Sequence, residues 1–173
     1  TSITRGGVVK QMAPMRFTKW PWANKLLSDF LISEDNLDMT DDEKLAIVNR
    51  LYERSAVGDF DTCETLLTDD FFIVEADDTP MAGTFTGITA LRDLYAQVFG
   101  MLEVTNVVRT EMTSGGDYVV TILHFEFADG LEPAHLCEMF RFRDGKVCEI
   151  RPYYFDAAPL RAAHEAFKAK QSR

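Results

Sequence analysis

The sequence predicts an α+β domain, with a few helices wrapped against a long, curved, antiparallel or mixed sheet. Three observations predict it. A strongly patterned helix opens the body of the chain at Thr40. Four strand-like runs then follow one another in the second half, near 103–112, 117–128, 134–143 and 146–154. The turns between those runs carry Gly115-Gly116, Asp129-Gly130 and Asp144-Gly145, and short glycine-bearing turns make antiparallel hairpins. A sheet of this length covered by few helices leaves a cavity between the layers.

In chain order, residues 1–38 read as an N-terminal extension, 39–156 as the domain proper and 157–173 as a helical tail. Within the extension, Met15 to Ile32 mixes aromatic and basic residues with a possible helix after Trp22, as a capping arm or a partner helix would. Thr40 and Glu43 form a capping box: the Thr side chain accepts a backbone N–H and the Glu reaches back. Leu45, Val48, Leu51, Tyr52 and Ser55 then mark one helical face, and Gly58 ends the helix. A short helix follows, for which Asp61 and Glu64 offer a cap. Phe71 to Ala76 reads as a buried strand and the segment after it, to Gly87, as a loop. Ile88, Leu91, Tyr95 and Val98 define a third helix that stops at Gly100. The four-strand meander comes last, before the tail.

Composition narrows the function. The chain has 173 residues, of which 46% are hydrophobic, enough for a real core. Its formal charge is −10. Phosphate backbones are bound by clustered Lys and Arg, and the body of the chain has no such cluster, which argues against nucleic acid. The charge is uneven: residues 1–28 hold Arg5, Lys10, Arg16, Lys19 and Lys25 with no acid, a net +5, leaving −15 for the remainder. Such a leader fits a targeting remnant, an arm for an acidic surface or a tag remnant. No apolar run reaches the ~18 residues of a membrane span. Cys63, Cys137 and Cys148 are odd in number and lack metal spacing, so free thiols in a reducing, cytoplasmic setting are expected. Scattered His124, His135 and His164 make no metal site, and no phosphate loop or Ser/His/Asp elbow is present, so no cofactor is expected.

The last hairpin carries the most chemical information. A two-residue loop at Asp144-Gly145 would set Arg151 opposite Glu138; a three-residue loop with a bulge at Gly145 shifts the pairing by one. One residue of shift moves a whole strand's side chains to the other face. The shifted register groups Glu138, Phe140 and Phe142 with Cys148, Ile150, Pro152 and Tyr154, and leaves Arg141, Arg143, Val147, Glu149 and Arg151 on the other side. That division is apolar against mostly charged, and we adopt it. Glu138 then faces the interior with no local cation. Desolvation favours the neutral carboxyl, which can donate a hydrogen bond. A purely structural role, with the carboxyl satisfied by an amide, a Tyr hydroxyl or a buried water, stays open beside the functional one.

From about Thr40 to Phe155 the chain resembles the SnoaL-like and ketosteroid-isomerase-like group of the nuclear transport factor 2-like superfamily. The resemblance rests on "LYERSAVGDFDTCETLLTDDFFIVEAD", "GTFTGITALRDLYAQVF" and "FEFADG…EMFRFRDGKVCEIRPYYFD". It implies a cystatin-like cone: a curved sheet wrapped by three helices, a deep apolar pocket, and commonly a homodimer through the outer sheet face. It places the proton-moving carboxylate of the isomerases at Glu75 and their protonated acid at Glu138, a pair whose tuning in ketosteroid isomerase is a standard worked example. The family's tyrosine falls on Leu51, with Tyr52 one residue on and about 100° around the helix. The polyketide cyclases of the group imply instead a histidine–acid pair, His124 with Glu138. Alternation, however, puts His124 with Val120, Ile122 and Glu126, opposite the cavity set of Val119, Thr121, Leu123, Phe125 and Phe127.

The candidate catalytic residues are therefore Glu75, Glu138, His124, Tyr154 and Tyr52, with Asp77 and Asp78 as rivals to Glu75 at the strand end. Candidate substrate contacts are Leu51, Tyr95, Leu123, Phe125, Phe140 and Ile150. The function expected is proton transfer beside a carbonyl of an apolar small molecule, in an isomerisation, a polyketide or terpenoid cyclisation, or a dehydration. A non-catalytic ligand-binding or protein-interaction module on the same fold is the alternative. A hydrolase opening epoxides ranks below both.

Overall fold

Residues 39–172 are described by a computed structural model; the N-terminal extension, with its expected arm or helix between Met15 and Ile32, lies outside the described residues. Helix α1 spans Asp41–Ala56 and begins with the capping box: Thr40 Oγ1 accepts from Glu43 N at 3.3 Å, and Glu43 Oε2 accepts from Thr40 N at 2.8 Å. Lys44, Val48, Leu51 and Ser55 line its buried face. Lys44 is an unexpected member. Its Nζ donates to Gly116 O at 2.7 Å, and Asp41 Oδ1 accepts from Ser114 Oγ at 2.9 Å, so the start of α1 is pinned to the tip of a hairpin.

Helix α2 covers Phe60–Thr65. Its cap is Asp59, whose Oδ1 accepts from Thr62 N at 3.2 Å, and not the Asp61–Glu64 pair expected from sequence. Those two carboxylates instead accept from Arg92, at 2.5 and 2.9 Å, and tie α2 to α3, Ala90–Phe99. Gly100 ends α3 as expected. Helix α4, Ala158–Gln171, is the tail, and it sends Leu160 and Ala163 into the same core as the body.

Strand β1, Leu67–Glu75, starts four residues before the expected Phe71. The segment read as a loop contains a short strand, β2, Gly83–Thr86, which pairs antiparallel with β1 so that Glu75 faces Gly83. Its mostly exposed Gly-Thr-Phe-Thr run has no buried alternation, which is why the pattern hid it. The meander follows as β3 (Val104–Gly115), β4 (Tyr118–Phe127), β5 (Ala134–Arg143) and β6 (Lys146–Tyr154). The sheet has six strands in the order β2-β1-β6-β5-β4-β3, and β1 runs parallel to β6, so it is mixed. Val48, Leu67, Phe71, Ile73, Val119, Val147 and Leu160 are fully buried between this sheet and the helices.

The last hairpin reaches the expected register by a different device. Arg143 pairs with Lys146 across a two-residue turn, in which Asp144 and Gly145 both have positive φ, 52° and 75°. That is the mirror-image turn whose twist matches its strands. The extra residue sits one step inward, where the pairing jumps from Phe142↔Val147 to Arg141↔Glu149. Beyond this bulge Phe140 meets Ile150 and Glu138 meets Pro152. The correction concerns Val147: the bulge turns it into the core beside Phe142, and it does not join the charged set.

Candidate functional site

The site is built on the inner face of the sheet. Leu51 of α1 is buried in the core, and the rotation of one residue carries Tyr52 over the sheet instead, edge-on to Phe140 with ring centroids 5.6 Å apart. From there the Tyr52 hydroxyl donates a hydrogen bond to Glu138 Oε2. Glu138 faces inward because its partners in register, Thr121 and Pro152, do so. A second pair lies beyond β6: Tyr154 donates to Glu75 Oε2 at 3.1 Å. Each carboxyl thus has one tyrosine, and the strands that carry them, β1 and β5, flank β6 on either side.

Burial sets the electrostatics. Glu75 is 5% exposed, and loss of hydration pushes its carboxyl up to about 7, against the Tyr154 hydrogen bond and with a smaller push from Glu138. Glu138 keeps some accessible surface, yet its carboxyl lies deep enough among protein atoms that desolvation raises it also; the Tyr52 hydrogen bond opposes this. Tyr52 and Tyr154 are raised by burial and by the neighbouring carboxyls, so both stay protonated. Tyr95 is raised to about 12, chiefly by burial; its hydroxyl donates to Ser55 Oγ at 3.1 Å. Glu75, Glu138, Tyr52, Tyr154 and Tyr95 therefore form one electrostatically linked group.

Other candidates lie elsewhere. His124 is on the outer face of β4, its ring 5.1 Å from that of His135 and its Nε2 3.6 Å from Glu126. The structure does not bring it to the carboxyl pair. His164 is on α4, its Nδ1 3.0 Å from Met101 O. Asp77 is exposed, and Asp78 is engaged by Arg161, whose guanidinium meets its carbonyl oxygen at 3.0 Å. Of the expected substrate contacts, Leu51, Leu123, Phe140 and Ile150 have at most 4% of their surface accessible, whereas Tyr95 and Phe125 keep more. Among the described residues no three His, Cys, Asp or Glu groups gather as a metal site.

Two residues were missed. Thr121 is fully buried opposite Glu138, and its hydroxyl makes no well-formed hydrogen bond among the described residues. It lies close enough to the Tyr52 oxygen to favour the phenolate slightly. Arg109 of β3 sits over the Tyr52 ring, 4.7 Å from guanidinium carbon to centroid, and donates to Asn49 Oδ1 at 2.8 Å. Alternation already placed Thr121 in the cavity set, so its hydroxyl was readable. Arg109 was not, because a bulge between Arg109 and Glu111 breaks the period of two.

Chemically, a carboxyl that titrates near neutrality faces a second one held toward its neutral form by burial and bonded to a phenol. The first can accept a proton. A neutral Glu138 accepts from Tyr52 at one oxygen and keeps an O–H to donate from the other.

The comparisons agree with this architecture. Bal32a from a soil-derived mobile gene cassette is 19% identical, with a TM-score of 0.63 over 72% of this chain and 98% of that one. A putative SnoaL-like polyketide cyclase from Jannaschia sp. CCS1 is 20% identical, with a TM-score of 0.61 over 76% and 99%. TerC, co-crystallized with polyporic acid, is 16% identical, with a TM-score of 0.59 over 71% and 98%. Identities this low speak for the shared fold alone. No curated protein matches the chain significantly. A family model described as the SnoaL-like domain matches residues 48–150, a span from α1 through β6 that holds every residue of the carboxyl–tyrosine group except Tyr154. On that match over more than half its length, the chain belongs to the SnoaL-like domain family.

Proposed function

We propose that the protein is a cofactor-independent acid–base enzyme that moves a proton beside a carbonyl of an apolar small molecule. The observation that carries this reading is the Tyr52–Glu138 hydrogen bond on the same inner face as Glu75, whose carboxyl is raised to about 7. Glu75 takes the proton from carbon as its carboxylate. The electron pair moves onto the carbonyl oxygen, where the Glu138 O–H stabilises the developing charge while the Tyr52 phenol, donating to the other Glu138 oxygen, holds that acid in place. Returning the proton to another carbon gives an isomerisation; attack of the enolate on a second carbonyl gives a cyclisation; loss of a β-hydroxyl gives a dehydration. A base titrating near the working pH combines availability with driving force. Residual accessible surface on Tyr52, Tyr95, Met112, Phe125, Glu138 and Tyr154 supports a substrate cavity at this face.

The test is hydrogen exchange. Steroid, polyketide and terpenoid ketones are incubated with the full chain in D2O, and loss of the α C–H signal is followed by NMR. The expected rate rises with pH through about 7, as Glu75 ionises. Replacing Glu75→Gln removes about 10²–10⁴-fold of it. Exchange no faster than in buffer for every ketone would sink the reading.

A binding module is the second reading, and one observation favours it: the Tyr52 and Tyr154 hydroxyls are both already engaged by carboxyls without any ligand. It predicts ketone binding without exchange. For either reading, residues 39–156 form the working domain, with 1–38 and 157–173 as additions. Tyr118, Ile122 and Tyr153, each at least 43% exposed on the outer sheet face, support a homodimer through that face. Free Cys63, Cys137 and Cys148 support a reducing, cytoplasmic setting.

A further inference from the structure

We infer that the site takes an anionic substrate, an apolar carbonyl compound bearing a carboxylate or similar ionised oxygen group, and that Arg109 is the residue that selects it. The inference rests on the proposed site and adds the chemistry of the substrate's other end. Arg109 shares the inner face of the sheet with Leu123, its partner in register, and with Met112, which pairs with Thr121. It is exposed, it has no carboxylate partner among the described residues, and its one hydrogen bond is to the neutral amide of Asn49. Several surface cations elsewhere do find acids: Arg92 has Asp61 and Glu64, Arg143 has Asp70, and Lys170 has Glu103 and Asp129, whereas exposed Arg50 and Lys146 share with Arg109 the lack of one among the described residues.

The guanidinium is also oriented. Its carbon lies 4.7 Å from the Tyr52 ring centroid and Asn49 holds one N–H, which leaves the other N–H groups to offer the fork that suits a carboxylate. Tyr52 measures the distance to the chemistry. Arg109 lies over its ring and Glu138 lies at its hydroxyl, so one side chain links the cation to the acid. A molecule lying along that ring would put its anion at Arg109 and its carbonyl at Glu138. Accessible apolar surface flanks this path at Val107, Met112 and Phe125.

Two matched pairs test this with the full chain: 6-carboxy-1-tetralone against its methyl ester, and naphthalene-2-carboxylate against its methyl ester. Binding is measured by NMR titration at low and at high salt. The expected result is that each acid binds at least about tenfold more tightly than its ester, the weight of a charge-assisted hydrogen bond. The preference should shrink as salt screens the exposed guanidinium. Arg109→Gln should erase it, and Arg109→Lys, which keeps the charge without the fork, should keep part of it. Equal binding of acid and ester, no binding of any acid up to millimolar concentration, or an undiminished preference in Arg109→Gln would overturn the inference. Should Arg109→Gln fail to fold, the salt dependence and the lysine variant decide alone. A preference for acids without tetralone exchange retires the catalytic reading and keeps this one. Exchange on neutral ketones together with equal binding of acid and ester does the reverse.

Discussion

Tyr52 shows how one position on a helix separates core from chemistry. Leu51 beside it is 3% exposed and packs; Tyr52, a rotation of about 100° away, brings a phenol to Glu138. Tyr52→Phe keeps the ring on Phe140 and removes only the hydroxyl. Glu138 then loses the one hydrogen bond that lowers its pKa, so its carboxyl should titrate at still higher pH in a ¹³C-edited NMR titration. Any exchange activity should fall by up to about 10²-fold, because Tyr52 acts on the oxyanion only by positioning the Glu138 O–H. An unmoved Glu138 titration would mean that the hydroxyl is not its partner in solution. At this scale the sequence was partly legible. Glu138 stands out because it is the one ionisable residue in the period-two set of Leu136, Phe140 and Phe142. The reach of Tyr52 did not, since side-chain length and helix placement are tertiary facts. Arg109 was hidden by a bulge that no residue type announces.

Elements behaved according to their local chemistry. The capping box was readable from Thr40 and Glu43 alone because all its partners lie within one turn. Thr40→Ala should cost about 1 kcal/mol, read from the urea midpoint. Asp144-Gly145 was readable as a turn, but the position of the extra residue was not: a bulge inside the strand and a longer loop give the same register further along. Gly145 has φ +75°, and a Cβ there would meet nothing nearer than Met39 Cε at 3.7 Å. The cost of Gly145→Ala is therefore one of backbone conformation, about 1 kcal/mol or somewhat more. Asp144→Asn, giving the most favoured pair for this turn, should be neutral or stabilising. Equal midpoints for wild type and Gly145→Ala would argue for a different turn in solution.

For the molecule as a whole, the buried acids tie stability to pH. A carboxyl raised on folding binds its proton more tightly in the native than in the unfolded state. The stability it contributes is complete below the unfolded value, 4.5 for Glu75, and is lost as pH rises through the folded value near 7. The urea midpoint should therefore fall between about pH 4.5 and 7, and Glu75→Gln should flatten part of that fall. Self-repulsion of a chain at −10 acts in the same direction, but the substitution leaves most of that in place. An identical pH profile for the variant would show that Glu75 has an ordinary carboxyl. The α+β class and the meander were legible at this scale, because period-two patterns and glycine turns are local. That β1 lies beside β6, parallel to it, was not, since pairing across more than seventy residues leaves no trace in spacing.

That pairing also sets a timetable for synthesis. As the chain leaves the ribosome, Glu75 emerges early on β1, whose one neighbour at that moment is the short β2. Its tyrosine, Tyr154, belongs to the last strand made. Until that strand has emerged, β1 has one bare edge, Glu75 has no hydroxyl donor, and the strand that joins β1 to Glu138 on β5 is missing. Non-local contacts of this kind form late and slowly. The acid group can therefore acquire its unusual protonation only after nearly all of the domain has been translated.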